Sequence, residues 1–258
     1  MNRGDFFKGV MQWEFYHKEM ERKFLLPVFY YDNTAMTCIY TAALSSIRGL
    51  LPRSEMHPVQ IVPGRALVAF SAFEYRRTDI DPYNEFSIAF PITYGRRGTP
   101  CLSVLRMMAR RCFTAYVWQL PVTTEVARRG GVDLYGYPKF LADIDFRDEK
   151  EALTCTLSEG GDTILTLRGK KLPFSREPVN RFKTWSLKDG VPLVANVYMN
   201  PLSFGKSMGR DAASLNLGDR HPIARTLREA SLGRRPLFFQ YMPRMEAILF
   251  GPRNLLDD

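Results

Sequence analysis

The sequence predicts an α+β fold made mainly of antiparallel strands: a barrel-like curled sheet around an interior pocket, with a few short helices. Three observations predict it. Apolar, aromatic-rich runs of strand length outnumber helical patterns, polar or glycine-containing turns separate those runs, and the helical patterns that do occur are short. Closing such a sheet on itself removes exposed strand edges. The chain has 258 residues, of which 45% are hydrophobic and 24% charged, which suits one large core.

Residues 1–24 mix aromatics with charges, including Phe6, Phe7, Val10, Met11, Trp13 and Phe15. They read as an N-terminal extension, either an amphipathic helix against the body or a neighbouring subunit, or a plain terminal tail. Residues 25–258 read as the folded domain. In it, 35–41 is a strand and 43–51 a short helix stopped by Pro52. Residues 65–75 and 85–94 are aromatic-rich strands joined by the polar turn 76–83, and 111–120 is a further strand. Residues 123–129 read as one or two helical turns ended by Gly130-Gly131.

Alternation then becomes clear. Leu153, Cys155 and Leu157 point one way and Thr154, Thr156 and Ser158 the other, and the turn 159–162 brings 164–167 back as a hairpin partner. Strands at 181–187 and 191–198 flank Asp189-Gly190. A helix fills 222–231, with His221 before it and Gly233 after it, and 237–250 closes the chain as a strand.

The chemistry concentrates at Gly136-Tyr137-Pro138-Lys139. Pro138 stiffens the approach to the lysine, and Gly136 accepts backbone angles that other residues resist. Tyr135, Tyr137, Phe140 and Leu141 offer poor hydration to an ammonium group, and desolvation favours the neutral amine. A neutral amine is a nucleophile that forms a Schiff base with a ketone or aldehyde. The bland reading of any lysine is a solvated surface group; the apolar flanks argue against it. Glu85 is the carboxylate best placed in an apolar strand for proton transfer, its plain alternatives being a solvent-facing strand residue or one paired to an arginine. Tyr83, two positions earlier, shares its face. Asp133 either faces the same pocket or binds backbone amides in its turn.

This segment resembles the active-site stretch of the acetoacetate decarboxylase family, which carries Tyr-Pro-Lys at its Schiff-base lysine. Cys38–Pro52 is similar to that family's first strand and helix, 82–86 to the segment supplying an active-site glutamate, and 244–250 to its closing strand. The resemblance implies a β-barrel-like core with Lys139 at an interior pocket, Glu85 beside it, no cofactor, and a large homo-oligomer. It also implies three departures. Phe140 stands where decarboxylases carry a second lysine, Asn33 near a family arginine, and Ser71 at a family glutamate. With Tyr83 and Tyr137, these three are the expected substrate-binding positions. Their loss of charge shifts weight from acetoacetate toward aldol or dehydration chemistry on a 2-oxo acid.

Other classes recede. No apolar run approaches the roughly 20 residues of a membrane-spanning helix, and Met1-Asn-Arg-Gly-Asp5 lacks a signal-peptide core. Cys38, Cys101, Cys112 and Cys155 show no C-x-x-C spacing, so reduced thiols in a cytoplasmic protein are expected. His17, His57 and His221 are scattered, and no metal site is expected. Gly205-Lys206-Ser207 ends like a phosphate loop, but Asn200 occupies the position of its required glycine. The net charge is +9, with pairs such as Arg76-Arg77, Arg96-Arg97 and Arg128-Arg129. No nucleic-acid recognition signature accompanies it, so a solvated basic surface is preferred to a nucleic-acid partner. The sequence therefore predicts a Schiff-base lyase acting on a small keto acid or ketone; the alternative is a non-catalytic β-barrel that binds an apolar carbonyl ligand.

Overall fold

The computed structural model describes residues 5–254. Residues 1–4 of the expected extension lie outside the described residues, and 13–26 form a hairpin instead of an amphipathic helix: β1 (Trp13–His17) and β2 (Arg22–Leu26) pair antiparallel, with Trp13 opposite Leu26. Alternation explains it. Phe24 and Leu26 point to the core on a period of two, whereas an amphipathic helix would need a period near 3.6. Residue 25, the expected domain boundary, lies inside β2.

After β2 come β3 (Val28–Ala43) and α1 (Leu44–Gly49), then two short strands, β4 (Met56–Pro58) and β5 (Gln60–Val62). Next come β6 (Arg65–Thr78), β7 (Tyr83–Tyr94), α2 (Leu102–Arg110), β8 (Cys112–Gln119) and α3 (Glu125–Tyr135). A second group of strands is β9 (Asp143–Asp148), β10 (Ala152–Glu159) and β11 (Asp162–Lys170). The chain ends with β12 (Asn180–Lys188), β13 (Val191–Ser207), β14 (Ala213–Leu217), α4 (Pro222–Glu229), β15 (Phe238–Leu249) and β16 (Arg253–Asn254).

The large sheet closes. β3 pairs with β6, β6 with β7, and the path continues through β8, β12, β13 and β15 back to β3, a seven-strand barrel. Every pairing in the ring is antiparallel except β8–β12. β9, β10, β11 and β14 form a separate four-stranded sheet.

Alternation splits the core in two. Met36, Cys38, Phe70, Phe86, Ile88 and Phe90 of the barrel wall pack in one cluster with Leu157 and Leu165 of the smaller sheet. Tyr30, Ala35, Phe73, Tyr75 and Tyr83 point to the opposite face, where they meet Phe24 of the hairpin and Ala127 and Tyr135 of α3. The site lies in this second cluster. Among the described residues, no helix is long and apolar enough to cross a membrane.

Two differences from the expected elements bear on the site. α3 does not stop at Gly130-Gly131; both glycines lie inside it, and it ends at Gly136. Two glycines in mid-helix are individually unfavourable; a Cβ on Gly130 would only touch Phe24, at 3.4 Å, but one on Gly131 would overlap the Lys139 side chain. The strand expected from 111 begins at Cys112, because Arg111 caps α2 in a left-handed conformation.

Candidate active site

Lys139 is positioned by the end of α3 and a short extended ladder. Gly136 caps the helix at φ 61°, and a side chain there would meet the Leu187 carbonyl at 2.7 Å, so both the angle and the space require glycine. The Gly136 and Tyr137 amides donate to the carbonyls of Val132 and Gly131. Residues 138–142 then run alongside 120–122: Leu120 N–H donates to Pro138 O, Val122 N–H to Phe140 O, and Ala142 N–H to Val122 O. On its other side, Val122 bridges to Glu85 in β7. One extended segment thus separates the lysine strand from the glutamate strand.

The outcome is a direct contact. Lys139 Nζ donates to Glu85 Oε2 at 2.7 Å, and the two side chains are 6% and 10% exposed. The ammonium lies 5.4 Å from the centre of the Tyr83 ring, within cation–π range. The other Glu85 oxygen accepts from the Tyr75 hydroxyl at 3.3 Å. The Tyr83 hydroxyl meets that of Tyr30 at 3.3 Å, and the Tyr137 hydroxyl meets Thr184 Oγ1 at 2.6 Å. Burial first, and then the Glu85 carboxylate, hold the Tyr75 and Tyr83 phenols well above the ordinary phenol range. Burial also raises Tyr30, Tyr135 and Tyr137. All five are therefore neutral hydroxyls at physiological pH.

A buried ion pair is a weak source of stability, since apolar replacements of similar volume are often as stable. Its presence among aromatic rings therefore calls for a chemical explanation. A carboxylate within hydrogen-bond reach of an amine is placed to take up and return a proton.

Beside the lysine lies a cavity of about 20 Å³, enough for one water molecule. Its walls are mostly apolar, with Phe24, Val28, Ile80, Leu134 and Leu249 alongside Tyr30, Tyr135 and Tyr137. Among the described residues, no group of three His, Cys, Asp or Glu side chains is placed to hold a metal ion.

The other sequence-predicted positions spread over the wall. Asn33 is fully buried, its amide donates to Met245 O at 3.0 Å, and its Oδ1 has no partner. Register sets it in one row with Tyr75 and Tyr83, while Glu85 lies in the next row with Phe73. Ser71 falls one row further along, opposite Thr37, whose hydroxyl meets its own at 2.9 Å. Phe140 leaves the site: its ring packs against the first cluster, because adjacent residues of an extended chain point to opposite faces. Leu141 is 46% exposed. The apolar surroundings of Lys139 therefore come from the hairpin, β3, the loop after β6, α3 and β15, not from the residues that follow it. Asp133 turns away and binds His17 at 2.9 Å. Sequence reasoning missed Tyr30, Tyr75, Gly131 and Phe24; only the strand register could have found Tyr75.

The profile of the family described as acetoacetate decarboxylase (ADC) matches residues 16–186, well over half of the sequence. The chain belongs to the acetoacetate decarboxylase family. Among curated proteins, nothing matches. Among solved structures, one acetoacetate decarboxylase superposes with a TM-score of 0.63 at 16% identity, over 89% of each chain. That from Legionella pneumophila subsp. pneumophila str. Philadelphia 1 gives 0.63 at 15% identity, over 89% of this chain and 87% of that one. The enduracididine biosynthesis enzyme MppR, complexed with the condensation product of pyruvate and imidazole 4-carboxaldehyde, gives 0.62 at 13% identity, over 89% of each. At these identities the structures bear out the barrel fold.

Proposed function

We propose that the protein is a carbon–carbon lyase that forms a Schiff base through Lys139 with a small carbonyl substrate, a keto acid or ketone. The buried 2.7 Å contact between Lys139 and Glu85 carries this reading. Glu85 takes the ammonium proton, and the freed amine attacks the carbonyl carbon. The carbinolamine oxygen takes a proton back from Glu85 and leaves as water, giving an iminium cation. A neighbouring carbon–carbon bond then breaks, and its electron pair passes to the iminium nitrogen as an enamine forms. Protonation at carbon and hydrolysis by water return the free lysine. The leaving fragment is carbon dioxide in a decarboxylation or an aldehyde in a retro-aldol cleavage. The latter is supported by the place of the MppR–condensation-product complex among the structures of this fold.

In this reading the protein is a cytoplasmic homo-oligomer. Its four cysteines are free thiols, which suits a reducing compartment. Exposed Met11, Trp13 and Tyr16 of the hairpin region offer apolar surface to a second copy.

Exchange of the carbonyl oxygen with isotopically labelled water tests the function, because each cycle of imine formation and hydrolysis replaces that oxygen. The native protein should catalyse exchange in acetone or acetoacetate, and Lys139→Met should not. Exchange at the uncatalysed rate with every carbonyl compound tried would leave a non-catalytic barrel.

A further inference from the structure

We propose that the tip of the β1–β2 hairpin is a lid over Lys139 that swings away from the barrel to admit the carbonyl substrate. What enters rests on the Schiff-base reading. The need for an opening rests on the closed site itself.

The Lys139 and Glu85 side chains are 6% and 10% exposed, and the cavity of about 20 Å³ beside them admits one water molecule. Even acetone is larger. A wall must therefore move before a carbonyl carbon can reach Lys139 Nζ. Most of the walls are fixed. Val28 and Tyr30 belong to β3 and Leu249 to β15, which are hydrogen-bonded to each other in the barrel. Ile80 sits in a turn tied to β3, because Asp79 accepts from the Phe29 amide and the Tyr31 hydroxyl. α3 carries Gly131, over which the Lys139 side chain lies, so its movement would displace the lysine with it.

The hairpin is attached differently. Its two strands pair with each other and, among the described residues, with no strand of the barrel. Its base is anchored: Phe7 packs on Phe29 and Tyr31, and Gln12 donates to Asp79 and to Pro27 O. Its tip is latched by side chains. Glu19 meets Arg129 at 2.5 Å, Arg22 meets Asp81 at 2.6 Å, and His17 meets Asp133 at 2.9 Å. Glu19 and Asp81 are well exposed, and exposed ion pairs hold weakly. Between base and tip, Phe24 is 3% exposed and lines the cavity. A pivot about the base lifts Phe24 off Gly130 and uncovers the lysine without breaking a hydrogen bond of the barrel. Weakly held elements of this kind are the ones that gate active sites.

Tethering the tip tests the lid. Glu19→Cys with Arg129→Cys is joined by a bismaleimide that carries a reducible disulfide at its centre, in a Cys101→Ser background that removes the exposed native thiol. Arg22→Cys with Asp81→Cys supplies a second, independent tether. Access is read by a pulse of acetic anhydride, which acetylates amines without forming an imine and is far larger than one water. Acetylation at Lys139 is mapped by mass spectrometry and normalised to the exposed Lys150. A tether should slow it by at least about tenfold, as expected when the open state is suppressed, and reduction of the linker should restore it. Slowing by either tether, reversed on reduction, bears the proposal out. Equal rates in the tethered and free proteins with both tethers overturn it, and so does a native Lys139 that resists acetylation while Lys150 is consumed. Borohydride trapping with acetone is measured on the same samples. Gated acetylation with no trapped adduct leaves the lid standing and the Schiff-base reading fallen. Trapping that neither tether slows leaves the Schiff base standing and the lid fallen.

Discussion

The side chain of Lys139 lies across Gly131: a Cβ built on that glycine would sit 2.5 Å from Lys139 Cε. Two neighbouring turns of sequence, the middle of α3 and the segment that follows its cap, are thereby locked into one arrangement that aims the amine at Glu85. Gly131→Ala should displace the lysine while gaining helix propensity of roughly 1 kcal/mol. The protein should stay folded and lose at least about tenfold in imine formation. Circular dichroism and the rate of oxygen exchange check both halves; native exchange in the alanine variant would show that the contact does not position the amine.

Glu85→Gln keeps the shape of the carboxylate but removes its ability to accept a proton. Turnover should fall by about 10²–10⁴-fold. Because it leaves Lys139 buried without its counter-ion, thermal stability should fall too. Saturation kinetics beside a melting curve distinguish the two effects. Turnover within about threefold of the native enzyme would make Glu85 a structural partner.

The phenols of Tyr30, Tyr75, Tyr83 and Tyr137, all raised by burial, predict alkaline instability. In the unfolded chain each ionises near 10, whereas in the fold each stays protonated above that. The unfolded state therefore loses protons first as pH rises, and stability is complete below about 10 and declines above it, by about 1.4 kcal/mol per pH unit for each phenol. Urea unfolding across this range should show a slope that becomes shallower by one such increment in Tyr83→Phe. An unchanged slope would mean that Tyr83 is not protected from ionisation.

Phe24 brings the hairpin to the cavity and packs on Gly130. Phe24→Ala should destabilise the protein by about 3–5 kcal/mol and open space that the native 20 Å³ cavity lacks. Ketones with longer alkyl chains should then bind more tightly than in the native protein, as read by ligand-observed NMR titration. Destabilisation with no change in ligand range would show that the ring supports the fold without limiting the cavity.

The two sheets were legible because their strands carry the two signals that a sheet needs, alternation and turn residues. The ladder from Leu153 to Leu157 and the turns at Gly160-Gly161 and Asp189-Gly190 illustrate both. That Lys139 and Glu85 would lie side by side was legible because the resemblance of their two segments to the acetoacetate decarboxylase family implied it, and the 2.7 Å contact agrees. What surrounds them was not. Phe140, adjacent in sequence, faces away, while Phe24 and Leu249, far away in sequence, form the wall. Local order in a strand says which residues share a face but not which distant element covers it. The hairpin at the N-terminus escaped for a related reason: Trp13 and Tyr16 are exposed, so their aromatic character marked no core. Gly130-Gly131 looked like a helix stop because the reason for Gly131, the Lys139 side chain lying across it, is visible only in three dimensions.

The most direct test of the account is the mass of Lys139 after reduction. The protein is incubated with acetone, methyl hydroxyethyl ketone or acetoacetate, treated with borohydride, digested and mapped by mass spectrometry. The account predicts one saturable adduct, on the peptide containing Lys139, that disappears in Lys139→Met. No adduct at Lys139 with any carbonyl compound, or labelling spread evenly over exposed lysines, would contradict it.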